Sequence, residues 1–278
     1  MDAAFEAALT DRISAFGALT LESITDATDD RAFDDLGLYV GELGLRFAFG
    51  ETVVSAGKIS PVFAVAWDAA PGFYGTSLAE DYELSEMIGV TVDTPLGNTG
   101  GVLSFAAFYV DDTFLSDSIG NKRGRNSLAA GGVGNTGKLN NFTVQYTRDF
   151  GETTGWIGAR HLSAGDGDVS DETGVVIGAS HDFGNGFDMI AEVAHFDGAG
   201  GTDTNATYAT LGAAYALEDW TFSTTATAVD TATGTDSMIA FGVDRALTQT
   251  VEVNFGIARF DVGGEKSTAF GLAVVVSF

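Results

Sequence analysis

The 278-residue chain has no cysteine, only three prolines (Pro61, Pro71 and Pro95) and few basic residues, 13 Lys and Arg against 39 Asp and Glu. Without cysteine there is no disulfide framework and no thiolate metal site. The formal net charge of −26 argues against nucleic acid as a partner, because its phosphates would be repelled. No run of 18 or more apolar residues occurs, so no transmembrane helix is expected. The amino-terminal Met-Asp-Ala-Ala-Phe-Glu has neither a basic stretch nor an apolar one. Any export signal is therefore expected to have been removed or to lie outside these residues, with Met1 an added start residue on a mature fragment. An acidic disordered chain is excluded by 45% hydrophobic residues and 21 phenylalanines.

What the chain does have is alternation. In the stretch 268–278, TAFGLAVVVSF, the residues Phe270, Leu272, Val274, Val276 and Phe278 fall on one face of an extended strand. Ala269, Gly271, Ala273, Val275 and Ser277, mostly small, fall on the other. About fifteen segments read this way, near 3–9, 13–23, 38–49, 51–59, 86–94, 101–111, 141–149, 154–162, 173–182, 187–197, 205–216, 219–229, 237–246, 250–260 and 267–278. In 38–49, Tyr39, Leu43, Leu45, Phe47 and Phe49 share a face; in 141–149, Phe142, Val144 and Tyr146 oppose Thr143, Gln145, Thr147 and Asp149. Nothing helical is left to cover so many apolar faces, so hydrocarbon is the simplest place for them. Faces rich in Thr, Ser, Gly and carboxylate suit a wet lumen better than a dry core.

The connections alternate in length, an independent signal. Short ones lie at Thr10–Arg12, Gly50–Glu51, Pro95–Gly100, Phe150–Thr153, Phe183–Gly186, Ala216–Glu218 and Ala246–Gln249. Long or acidic ones lie at 24–37, 60–85, 112–140, 163–172, 198–204, 230–236 and 261–266. Short inner turns and longer outer loops belong to a transmembrane barrel, and no fixed repeat suggests a solenoid. The expected architecture is one domain over residues 1–278, an all-β, antiparallel up-and-down transmembrane barrel of the sixteen-strand porin type. About fifteen strands are visible, an odd number. Either a strand before Asp2 is missing, or 3–9 is added to a fourteen-strand barrel, or one segment is wrongly divided; the first reading is preferred.

The terminal aromatic Phe278 resembles the closing strand of bacterial outer-membrane barrels. The segment Gly57 to Val90, with Gly57-Lys58 and Pro61, Trp67-Asp68 to Pro71-Gly72, and Asp81-Tyr82-Glu83-Leu84, resembles porin-like outer-membrane proteins of alphaproteobacteria, distant relatives of the phosphate-selective porins. Asp112-Thr113-Phe114 to Ser116 and Lys122-Arg123-Gly124-Arg125 fit the same resemblance. It implies passive passage of small hydrophilic solutes, an outer-membrane location among lipid and lipopolysaccharide, and, by porin analogy, a homotrimer. No run of basic residues suggests a phosphate ladder, so phosphate selectivity does not carry over.

With the large faces outward, Glu6, Glu22, Glu42, Asp93, Asp149, Asp188, Glu192, Asp244 and Glu252 point inward against Arg46 and Lys58. Such a lumen is expected to favour cations; the plainer reading is solvated carboxylates without a specific ligand. The densest basic cluster, Lys122, Arg123 and Arg125, lies in the longest loop, 112–140. Folded inward opposite Glu80, Asp81, Glu83 and Glu86 it would form a pore constriction; left outside, it would pair with lipopolysaccharide phosphates or neighbouring acids. Loop 60–85, with Phe63, Trp67, Phe73 and Tyr74, reads as a lid packed on its own aromatics, with partial entry into the pore as the alternative. Arg148 and Arg245 have outward parity but sit at inner strand ends, where long stems can snorkel.

No cofactor is expected. Loop-bound Ca²⁺ stays open through Asp26, Asp29, Asp30, Asp34 and Asp35, and through Asp166, Asp168 and Asp171, though none has EF-hand spacing. His161, His181 and His195 carry no zinc-type pattern and no G-x-S-x-G elbow occurs, so neither a metal site nor an enzyme is expected. The competing function is a loop-plugged barrel with a structural or adhesive task, and the competing fold a soluble sandwich of eight to ten strands.

Overall fold

A computed structural model describes residues 1–24, 34–97 and 100–277 of the chain. Its strands are β1 Asp2–Thr10, β2 Ile13–Ser23, β3 Leu36–Phe49, β4 Thr52–Ile59, β5 Met87–Pro95, β6 Gly101–Val110, β7 Ile119–Gly120, β8 Asn141–Asp149, β9 Thr153–Leu162, β10 Glu172–Asp182, β11 Phe187–Asp197, β12 Ala206–Leu217, β13 Trp220–Thr231, β14 Gly234–Ala246, β15 Val251–Val262 and β16 Glu265–Val276. Among the described residues these sixteen make one antiparallel sheet in which each strand pairs with the next. The two-residue β7 stands aside: it pairs with the start of β3, and β6 pairs directly with β8.

The fifteen long strands are the fifteen alternating segments, with ends moved by at most two or three residues. Full-length pairing of β1 with β2 makes the segment 3–9 a regular member of the sheet and removes the fourteen-strand reading. Because fifteen long strands alternate in direction, β1 and β16, the two ends of the path, run the same way.

The outer surface carries the large apolar residues. Phe270 is 69% exposed, Leu272 73% and Val274 62%. Along β10 the alternation is sharper still, with Val175 and Ile177 exposed on either side of the buried Val176. A continuous apolar surface of this size has no place in water and a natural one in hydrocarbon. Arg148 and Arg245, outward at inner strand ends, lay their guanidinium groups over Phe150 and Trp220.

One inward–outward assignment needs correction. Tyr39 shares its parity with Leu43 and Leu45, yet it faces the lumen. Ala18 pairs with Glu42 and Leu19 with Val40, so Gly41 is an extra residue in β3. Such a bulge reverses the sidedness of everything beyond it. The Tyr39 hydroxyl accordingly donates to inward Glu22 at 2.7 Å.

The buried core lies inside the barrel. Phe63, Ala66, Tyr82 and Leu84 from the segment 60–86 pack against Phe108, Trp156, Val176, Ile190 and Phe196 of the inner wall.

Candidate functional site

The segment 60–86, between β4 and β5, runs through the lumen along the wall formed by β8 to β16. Its first limb turns at Ala64, a non-glycine residue with φ of 64°, whose N–H donates to Gln145 Oε1 at 2.7 Å. A single helical turn follows, α1 Ala66–Ala69, capped by the extended Ala70 that Pro71 requires behind it. Trp67 folds back to donate its indole N–H to the Phe63 carbonyl at 3.0 Å.

Beyond the helix the segment reaches the far strands. Thr225 donates to the Pro71 carbonyl at 2.7 Å. The Phe73 ring lies directly over Gly256 and Gly271, where a Cβ on either glycine would strike it. These small residues, which read in sequence as a polar lumen face, are here the floor on which an aromatic ring rests. Tyr74 meets Phe260 edge-on, with ring centroids 6.1 Å apart.

The return limb comes back through a short 3₁₀ turn at Glu80–Tyr82. The Tyr82 carbonyl accepts from Arg160 Nη1 at 2.7 Å. Arg160 is also paired with Glu172, Nη2 to Oε1 at 2.7 Å, beneath the rings of Phe63 and Phe196. Burial and the neighbouring Glu192 push the Tyr82 hydroxyl well above the usual phenol range, so it serves as a donor, reaching Glu192 Oε1 at 2.6 Å. Glu192 further accepts from Val65 N at 2.7 Å, Ala66 N at 3.2 Å and Trp156 Nε1 at 2.7 Å.

At the root of the segment, fully buried Lys58 donates to Glu86 Oε2 at 2.6 Å and to the Leu115 carbonyl at 3.0 Å, and pairs with Asp111 at 2.9 Å. Arg123 grips the same Glu86 with both terminal nitrogens and stacks 3.9 Å from the Tyr39 ring centroid. Burial works against the Arg123 charge, but the Glu86 carboxylate outweighs it and raises the guanidinium above its ordinary range.

The two long loops thus differ in where they lie. Segment 60–86, read as a lid, occupies the lumen. Loop 112–140, for which both an inward constriction and an outer position were open, sits at the outer rim: β7 pairs with the start of β3, Asn121 donates to the carbonyls of Asp34 and Leu36, and Gly134 bonds back to Val110 and Ser163. The physical reason is backbone accounting. Loop 112–140 satisfies its polar groups along strand ends, whereas 60–86 brings the apolar side chains that a lumen wall can bury.

Of the charges expected to face each other across a constriction, only Arg123 and Glu86 meet. Lys122 pairs with Asp117 at 3.0 Å and so holds that carboxyl below the usual range. Arg125 donates twice to the Asp112 carbonyl, at 2.9 and 2.7 Å. Glu80 accepts from Thr76, and Asp81 from the Tyr208 hydroxyl at 3.2 Å. Burial, then neighbouring acids, push the Asp81 and Glu83 carboxyls above the ordinary range despite bonds from Tyr208 and Ser85.

The opposite wall, β2 to β5, stays open. A cavity of about 380 Å³ lies between it and the first limb, lined by Glu42, Arg46, Ser55, Thr91 and Asp93 on the wall and by Ser60 and Val62 on the limb. Arg46 is ion-paired with Glu6 and lies over the Phe16 ring; Ser104 donates to Asp93. Deeper, Glu252 and Asp244 share the Asn254 amide, at 2.6 and 2.8 Å. The inward charges therefore divide: Glu42 and Arg46 line the cavity, Glu252 is held by Asn254, and Lys58 and Glu192 are sealed in protein.

Asp26, Asp29 and Asp30 lie outside the described residues. Asp168 and Asp171 accept backbone N–H groups of their own loop, and among the described residues no three carboxylates or histidines are placed to hold a metal. By register His161, His181 and His195 all lie on the outward face.

Gln145, Trp156, Arg160 and Glu172 carry the site and were not singled out in the sequence. Their signal was there: bulky polar residues interrupting inner faces otherwise made of small ones.

No family model matches the sequence and no curated protein matches it. Solved structures do. An anion-selective porin from Comamonas acidovorans is similar with a TM-score of 0.65 at 12% identity, over 100% of this chain and 88% of that one. A triple mutant of Rhodopseudomonas blastica porin is similar with a TM-score of 0.63 at 15% identity, over 100% and 89%. The chain has the barrel fold of bacterial porins.

Proposed function

We propose that the protein is an outer-membrane porin through which small hydrophilic solutes diffuse passively, with a mild preference for cations. The passage runs between the first limb of segment 60–86 and the wall of β2 to β5. The observation that carries this reading is the cavity beside Glu42, Arg46 and Asp93: charged groups and hydroxyls share its lining with Phe16, Val53 and Ile59, the inserted segment partly walls it, and it lies inside a barrel whose outside is apolar. Three acids, Glu6, Glu42 and Asp93, stand there against one base, Arg46, so the local field attracts cations. The Comamonas porin, described as anion-selective, shares the fold; selectivity belongs to the site and not to the barrel.

Purified protein in planar bilayers under a salt gradient tests both parts. Stepwise current with a reversal potential of cation-selective sign supports the proposal, and an anion-selective sign removes the charge argument. Liposomes that fail to swell with any sugar or amino acid would mean that segment 60–86 closes the lumen and that the barrel has a structural task.

A further inference from the structure

We propose that Glu192 is the positioning residue of the pore, setting its aperture from behind the inserted segment without facing the solute. The inference rests on the permeation reading above and assigns the part that holds the narrow point in place.

A carboxylate has about four lone-pair sites. At Glu192 four donors are in place: Val65 N and Ala66 N from the first limb, the Tyr82 hydroxyl from the return limb, and Trp156 Nε1 from the wall. The residue is 3% exposed. It has no capacity left for a passing ion, and burial of its charge is tolerable only because every lone pair is used. One side chain therefore ties together two limbs distant in sequence and fixes both to β11. The other side-chain bonds from β8 to β13 onto the segment each hold one point: Gln145 holds Ala64, Thr225 holds Pro71, Arg160 holds Tyr82 and Tyr208 holds Asp81. Parity alone counts Glu192 among the charges that attract cations; the geometry removes it from that group and makes it the clasp.

Glu192→Gln keeps the shape and replaces one acceptor oxygen by a donor, which then opposes the N–H and O–H groups it should receive. A hydrogen bond to a charged group corresponds to at least a tenfold change in an equilibrium, so the released form of the segment should rise by about tenfold or more. Two readouts separate this from lost charge and from misfolding. Because the chain has no cysteine, Ala69→Cys on α1 accepts a single nitroxide label, whose spectrum reports mobility of the segment. Single-channel recording gives open-level noise and reversal potential, and heat-dependent migration on gels verifies the barrel.

The expected result for E192Q is a mobile spectral component and flickering sublevels at an unchanged reversal potential. Tyr82→Phe, which removes one donor, should move both readouts the same way by a smaller factor. An unchanged spectrum in E192Q overturns the proposal, as does a reversal potential that moves as far as it does in Glu42→Gln. If E192Q forms no barrel, Y82F decides by the same criterion. Should neither form pass current while the label is still released in E192Q, permeation fails and the clasp stands.

Discussion

Arg160 and Glu172 face each other across neighbouring strands inside the barrel, their charged groups in contact at 2.7 and 2.9 Å with both side chains about 5% exposed or less. The pair is the rigid seat under the return limb, since the same guanidinium holds the Tyr82 carbonyl. Removing one member leaves the other charge buried alone, which typically costs about 3–5 kcal/mol. Arg160→Met should therefore lower the unfolding free energy by that order, read as a lower urea midpoint, and the double variant with Glu172→Leu should recover much of the loss. Equal midpoints for single and double variants would refute the pairing as the cause.

Phe73 should report on the floor beneath it. Gly271→Val places a branched side chain where the ring lies, and overpacking of this kind costs about 1–3 kcal/mol. The next residue, Leu272, faces outward and is exposed, so Leu272→Val should be nearly neutral. Thermal midpoints in the same detergent compare the two, and a larger effect at Leu272 would reverse the assigned faces.

Charge substitutions should sort by location and not by sign. Two unit charges 4–8 Å apart in water interact by about 0.5–1 kcal/mol, so Glu42→Gln or Asp93→Asn should lower the cation-to-anion permeability ratio by roughly two- to six-fold. Lys122→Gln, on an exposed side chain tied to Asp117 at the rim, should leave the ratio within error. Reversal potentials in a tenfold salt gradient check all three.

The return limb should respond to pH with a definite sign. Burial followed by acid crowding raises the Asp81 and Glu83 carboxyls, so the folded arrangement favours their protonated forms. The stabilisation from those protons is fully present below the ordinary carboxylate range near 4 and is lost as pH rises through the raised values. Acidification should thus make segment 60–86 more resistant to protease in a window above pH 4. The double variant Asp81→Asn, Glu83→Gln should flatten that profile; an unaltered profile would assign the effect to other groups.

The barrel was legible in the sequence because its information is local. A period of two and large residues on one face specify a strand and its outward side within ten residues, as 268–277 and 172–182 illustrate. The expected alternation of turn length, by contrast, fails near the end of the chain, where 230–236 and 261–266 close as tight turns between Thr231 and Gly234 and between Val262 and Glu265. A single extra residue, Gly41, was enough to turn Tyr39 from hydrocarbon to lumen, because sidedness depends on register with a partner strand.

What tertiary structure alone decided is which loop enters the pore and which charges the pore presents. Segment 60–86 finds its resting place on residues some 80 to 200 positions away, from Gln145 to Gly271, and nothing in its own composition names them. Glu192 and Glu42 have the same residue type and the same inward parity. One is sealed by four donors and the other lines open space, a difference made entirely by what the folded chain lays across them.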